Sequence, residues 1–169
     1  MRAPIGLLSV VALGLASALA STAAAGTAVI TFVAPEGYTD GGGKTAFDTP
    51  TVADAQNAIG SHLTALAQSK LSPGQTLKID VLDLDLAGRK QMAGGGRDVR
   101  IFDDISPPRI KVRYALEEGG RVLLSAEETV SNPMYLNTVG RSNYRPLDRE
   151  RIMLSRWFEE RFVEHKAPR

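Results

Sequence analysis

Between Thr76 and Leu86 the chain reads TLKIDVLDLDL, and its apolar residues change phase partway along. Leu77, Ile79 and Val81 alternate with Lys78 and Asp80, as one face of a strand does. Leu82, Leu84 and Leu86 then fall on the opposite parity. A straight strand would turn half of this set toward water. One extra residue near Val81-Leu82, a β-bulge, keeps all six on the core side and turns Asp80, Asp83 and Asp85 outward with Lys78. The stretch therefore requires a sheet with one covered face and one wet face.

The rest of the pattern supplies the cover. Residues 28–33 form a short β-branched strand, broken at Pro35-Glu36-Gly37. Thr51, with Asp54 three residues on, caps a helix that runs to Ser72-Pro73-Gly74. Val52, Ala55, Ile59, Leu63, Leu66 and Ala67 share its apolar arc, and Gly60 suggests a close approach to the sheet. Further strands are expected over 76–86, 98–102, 109–116 and 121–129, the last two as a hairpin about Glu117-Glu118-Gly119-Gly120. A closing helix carries Pro146 in its first turn and Asp148 and Glu150 near its start. Arg156 and Arg161 stand near its end. Leu147, Met153, Leu154, Trp157, Phe158 and Phe162 make its apolar face, with Ile152 off it. The order β-α-β-β-β-β-α predicts an α+β, two-layer sandwich: a mostly antiparallel sheet of four or five strands with two helices on one face.

The first residues read as a leader. Arg2 precedes the apolar run IGLLSVVALGLASALA, and small residues satisfy the cleavage rule before Ser21 and again before Gly26. We expect a signal peptide over 1–25 and one domain over 26–169, with removal after Ala20 as the alternative. No hydrophobic span follows, so no stable membrane span is expected after removal. The chain has no cysteine, which excludes disulfides, thiolate metal sites and a lipid-anchored N-terminus. Without Arg2, the 20 basic residues fall to parity with the 19 acidic ones. Residues 36–86 hold 7 acids and 3 bases, while 87–169 hold 12 and 16. A neutral, bipolar chain lacks the basic footprint of nonspecific nucleic-acid binding.

No motif discloses a reaction. The outward Asp80, Asp83 and Asp85 face strands offering Arg100, Arg109, Lys111, Arg113 and Arg121, which predicts a cross-strand ion-pair ladder. They are also the only metal candidates. DLDLAG opens like a calcium loop, but Ala87 stands at the third ligand position and Gly94 where the terminal Glu belongs. GGGKT, with Lys44, lacks the spacing of a phosphate loop. His62 borders the first helix's apolar face and is expected to reach solvent, and His165 lies in the tail, so no Ser/His/Asp triad assembles. Glu127-Glu128 alternate faces and read as solvated acids at a strand end. No cofactor and no catalytic residue is assigned.

Four segments, ITFVAPEGYTD, PGQTLKIDVLDLDLAG, DVRIFDDISPPRIKVRYAL and RIMLSRWFEERF, together resemble a bacterial domain-of-unknown-function family, number 3016. Ser106-Pro107 departs from the aromatic-proline pair of that family. The resemblance spans essentially all of the chain after residue 25 and implies an exported protein of the bacterial envelope. It implies no activity.

The expected function is a periplasmic, non-enzymatic binding or assembly module with an envelope protein as partner. A small-ligand or metal-ion carrier is the first alternative and a carboxylate-based hydrolase the second. The contact surface is placed on residues 131–145, where Met134, Tyr135, Leu136, Arg141 and Tyr144 stand in a connection without helical or strand period. The competing reading tucks Tyr135 or Leu136 against the sheet to close the core.

Overall fold

The computed structural model describes residues 25–40, 51–93, 97–138 and 147–168. The leader, the GGGKT segment with Lys44, and Arg141, Tyr144 and Pro146 lie outside the described residues. The elements are β1 (Thr27–Phe32), α1 (Val52–Lys70), β2 (Gln75–Asp85), β3 (Arg89–Ala93), β4 (Arg97–Ile101), β5 (Arg109–Glu118), β6 (Arg121–Ser131) and α2 (Asp148–Phe158). Short 3-10 turns cover Pro35–Gly37 and Tyr135–Asn137, and a π turn, Glu159–Val163, extends α2.

Four strands form the main sheet in the order β1-β2-β5-β6. β1 runs parallel to β2, with α1 as the crossover that a parallel pair requires. β2-β5 and β5-β6 are antiparallel. Both helices cover the face that carries Leu77, Ile79, Val81 and Leu84 of β2 and Ile110, Val112 and Tyr114 of β5. The expected α+β sandwich is the observed one.

The phase change in β2 has the expected cause. The β2-β5 register slips between Val81 and Asp83, leaving Leu82 without a partner. Leu77, Ile79, Val81, Leu84 and Leu86 are buried. Leu82 is only half-buried, so the inserted residue itself leaves the core set instead of joining it.

Two expectations about the strands need correction. The strand over 98–102 does not join the main sheet; as β4 it pairs with β3, a strand absent from the sequence reading, in a separate hairpin. β3 reads Arg-Lys-Gln-Met-Ala, and its Met92 is 77% exposed. It pairs through its backbone and buries too little to show an alternation. Arg100, expected on the outer face of the main sheet, leaves with β4.

α1 begins with a reciprocal cap. The Asp54 N–H donates to Thr51 Oγ1 at 3.1 Å, and the Thr51 N–H donates to Asp54 Oδ2 at 3.0 Å. A β-carbon at Gly60 would lie 3.8 Å from the Phe32 ring, an ordinary contact, so the close approach expected there does not occur. A tight glycine lies instead at Gly26, where a β-carbon would come within 2.4 Å of Leu71 Cβ. α2 presents the expected apolar face: Leu147, Met153, Leu154, Trp157, Phe158 and Phe162 are all buried. Tyr114, Trp157 and Phe162 meet edge-to-face, with centroids 5.2–5.5 Å apart.

Candidate functional site

The outer face of the sheet does hold a ladder, centred on Glu127 rather than on the aspartates. Arg113 donates to Glu127 through Nε at 3.1 Å and Nη2 at 2.9 Å, and Lys111 Nζ lies 2.9 Å from the same carboxylate. Lys78 pairs with Glu117 at 2.8 Å. Asp80 stands opposite Arg113 in register, and Asp83 opposite Lys111. Asp83 instead accepts from the Thr39 N–H and hydroxyl, both at 2.7 Å. Burial alone would raise its carboxyl. The Thr39 and Leu84 hydrogen bonds and the Lys111 charge outweigh that and hold it below the usual range. Among the described residues, no group of three or more His, Asp or Glu side chains is placed to hold a metal ion.

Asp85, two residues on, lines a cleft of about 330 Å³ beside the β2-β3 turn. The floor is held by Arg100, whose Nη1 donates to the Gly88 carbonyl at 2.8 Å and the Ala87 carbonyl at 3.2 Å. The other arm of the guanidinium binds Asp40, which Lys90 also reaches at 2.9 Å. Gly88 is required at this turn: its φ is +77°, and a β-carbon there would sit 2.4 Å from the Ile101 carbonyl oxygen. Arg89 pairs with Asp103 at 2.8 Å. Asp85 and Arg109 are register partners across β2 and β5. Neither side chain makes a hydrogen bond or ion pair with the described residues. Burial raises the Asp85 carboxyl above its usual range; Arg109 opposes this, and the charges of Asp40 and Asp83 add to it. Thr39, Asp40 and Lys90 were not singled out in the sequence, because they gather only when the β3-β4 hairpin folds back.

Glu128 overturns its reading as a solvated acid. It lies on the core parity of β6 and is 8% exposed. Its Oε1 accepts from Tyr114 Oη at 3.0 Å, Trp157 Nε1 at 2.9 Å and Arg161 Nε at 2.9 Å. Arg161 Nη2 reaches Oε2 at 2.8 Å, completing a two-pronged pair. Burial pushes Glu128 upward, but these donors prevail and hold it below the ordinary glutamate value. Two signals were available: an acid on the core parity of β6, and Arg161 four residues after Trp157 on the apolar face of α2. Beside this network, Val130, Asn132, Met134, Met153, Arg156 and Trp157 help to line a second cleft of about 300 Å³, between the end of β6 and α2.

The connection after β6 divides. Tyr135 is fully buried; its hydroxyl donates to the Asp103 carbonyl at 2.5 Å and accepts from the Asp103 N–H at 3.0 Å. Met134 and Leu136 are 62% and 41% exposed. The packing reading thus accounts for Tyr135, and the surface reading keeps Met134 and Leu136. His62 does not reach free solvent as expected. Its Nε2 lies 2.8 Å from Ser155 Oγ and 3.0 Å from the Arg151 carbonyl, joining α1 to α2. Burial lowers its pKa.

A family model described as protein of unknown function (DUF3016) matches residues 26–160. No curated protein and no solved structure matches the chain.

Proposed function

The chain belongs to the DUF3016 family, described only as of unknown function, and we propose that it is an exported, non-enzymatic binding module that captures an extended segment of an envelope protein along β6. One observation carries this reading. β6 is an edge strand of 11 residues, and among the described residues its backbone bonds no segment other than β5. Edges of this length are normally blunted by proline, lysine, bulges or a covering element. Here the only irregularity is the register slip near Val122-Leu123, at the start of the strand. From Leu124 to Ser131 the edge is regular and carries neither proline nor lysine.

An extended peptide adds to such an edge through main-chain hydrogen bonds, and pockets for alternate side chains give selectivity. The cleft beside Trp157 opens along the same edge and supplies one such pocket. Arg156, exposed on its wall and without an ion pair among the described residues, favours an acidic residue in the incoming segment. Peptides selected by display against the protein are expected to slow amide hydrogen exchange over 124–131. Ser125→Lys, which places a charge on the edge, is expected to abolish capture with little change in melting temperature. Protection confined to another region, or capture unaffected by Ser125→Lys, would refute the reading.

Export is part of the proposal. The family match begins at residue 26 and β1 at Thr27, so removal through Ala25 spares every residue of the sheet. The intact mass of protein from the periplasmic fraction is expected to correspond to a chain starting at Gly26, or at Ser21 if the earlier site is used. A full-length chain recovered in membranes would make the first segment an anchor.

The hydrolase alternative has one observation in its favour, the raised Asp85 carboxyl in a cleft, as a general acid requires. Its second carboxylate, Asp40, is already committed to Arg100 and Lys90, which leaves no free partner acid beside Asp85 among the lining residues.

A further inference from the structure

We propose that the cleft between the β2-β3 turn and the Ile105–Pro107 segment is a binding site for a small zwitterion of the amino-acid or dipeptide class, with its ammonium group on Asp85 and its carboxylate on Arg109. Arg100 and Lys90 are both spent on Asp40, and Arg89 on Asp103. Asp85 and Arg109 are the two lining charges that make no ion pair within 4.0 Å among the described residues, although they stand opposite each other on adjacent strands.

Opposed residues on neighbouring strands hold their β-carbons about 4.5–5.5 Å apart. Asp85 and Arg109 therefore present one negative and one positive group side by side to the same space. A ligand carrying a single charge would satisfy one of them and leave the other facing a like charge. A ligand carrying both signs satisfies both. From standard bond lengths, an ammonium and a carboxylate joined through one or two residues span about 3–7 Å, which suits this spacing.

The size of the cleft narrows the class further. At about 330 Å³ it lies at the small end of ligand sites. Its rim carries Ile105, an apolar side chain 74% exposed, which would cover an aliphatic side chain of the ligand. The raised Asp85 carboxyl is consistent with a group kept from full solvation until a cation arrives. Its sign also gives a pH dependence: a carboxyl shifted upward loses its charge at a higher pH than an unshifted aspartate, so affinity should drop on acidification.

Leucyl-leucine, its N-acetyl derivative and its C-terminal amide serve as probes in calorimetric and NMR titrations of the protein. The free dipeptide is expected to bind, with shifts concentrated on residues 85–90 and 105–109. Each blocked derivative is expected to bind about tenfold or more weakly, since each loses one charge-assisted contact. Asp85→Asn should remove the penalty for acetylation alone, and Arg109→Gln the penalty for amidation alone. Both positions lie on the wet face of the sheet, and unchanged circular dichroism would establish that the variants fold. Ser125→Lys, at the opposite edge of the sheet from β1, should leave all three affinities unchanged, which separates this site from strand capture on β6. Equal binding of the three probes, no binding of the free dipeptide at millimolar concentration, or penalties that survive both substitutions would overturn the proposal.

Discussion

Glu128→Ala is expected to lower the free energy of unfolding by about 3–5 kcal/mol, the range for removing one partner of a buried ion pair. The size follows from what is left behind. Arg161 has a side chain 4% exposed, and its two shortest contacts, at 2.9 and 2.8 Å, go to Glu128. Without that carboxylate the guanidinium stays in the core with only the Glu160 carboxylate, 3.9 Å away, to offset its charge. Tyr114 and Trp157 lose the acceptor of their polar hydrogens in the same step. Glu127→Ala, one residue away, is expected to cost only about 0–1 kcal/mol, because its pairs with Lys111 and Arg113 lie on the exposed face. Urea unfolding of the two variants measures the contrast, and comparable small losses would remove the network from its place in the core. The pH dependence has a definite sign. The Glu128 carboxyl is held below its unfolded value, near 4.3 for a free glutamate. Its contribution is therefore fully present above that value and lost as pH falls through the folded one. The variant should show a flatter decline in stability on acidification.

Glu128 also shows why parts of this structure were legible in the sequence and parts were not. Periodicity located the bulge in β2, the N-cap of α1 and the apolar faces of both helices, because each rests on local spacing. Parity placed Glu128 on the core side as well. Charged residues usually lie in water, which weighs against that parity, although Arg161, in the turn that extends the apolar face of α2, offers the matching charge. Two isolated exceptions to a hydrophobic stripe carry more information together than either does alone. β3 was invisible for a different reason. A hairpin that packs little apolar surface has no two-residue alternation, and only its backbone pairing with β4 defines it. The Asp85 cleft depends on that hairpin. Lys90 and Arg100 reach Asp40 from β3 and β4 across a separation no spacing rule covers. Asp85 was among the residues singled out, whereas the cleft that gives it a distinct environment was not readable. The same limit applies to Tyr135: composition favoured a surface role for its segment, and the outcome turned on a contact with Asp103, 32 residues away.

Tyr135→Ala is accordingly expected to destabilise the protein by about 3–5 kcal/mol, as truncating a buried aromatic does. The ring is fully buried, and its hydroxyl holds both the N–H and the carbonyl of Asp103, so it fastens the connection after β6 to the segment that leaves β4. Arg149 adds a cationic cover, its guanidinium carbon 3.8 Å from the Phe102 ring centre and 5.6 Å from that of Tyr135. Tyr135→Phe separates the two contributions. It keeps the ring and removes two hydrogen bonds to the half-buried backbone of Asp103, an expected loss of about 0.5–1.5 kcal/mol for each. Leu136→Ala, with a side chain 41% exposed, should change stability by only about 0.5 kcal/mol or less. Denaturant unfolding of the three variants orders them. If Tyr135→Ala instead unfolds like the parent protein and loses a bound partner, the ring is a contact residue in solution, and its place in the core must be given up. If the expected order holds, any recognition by this segment falls to Met134 and Leu136, which stand beside the open end of β6 and would extend the surface that an added strand meets.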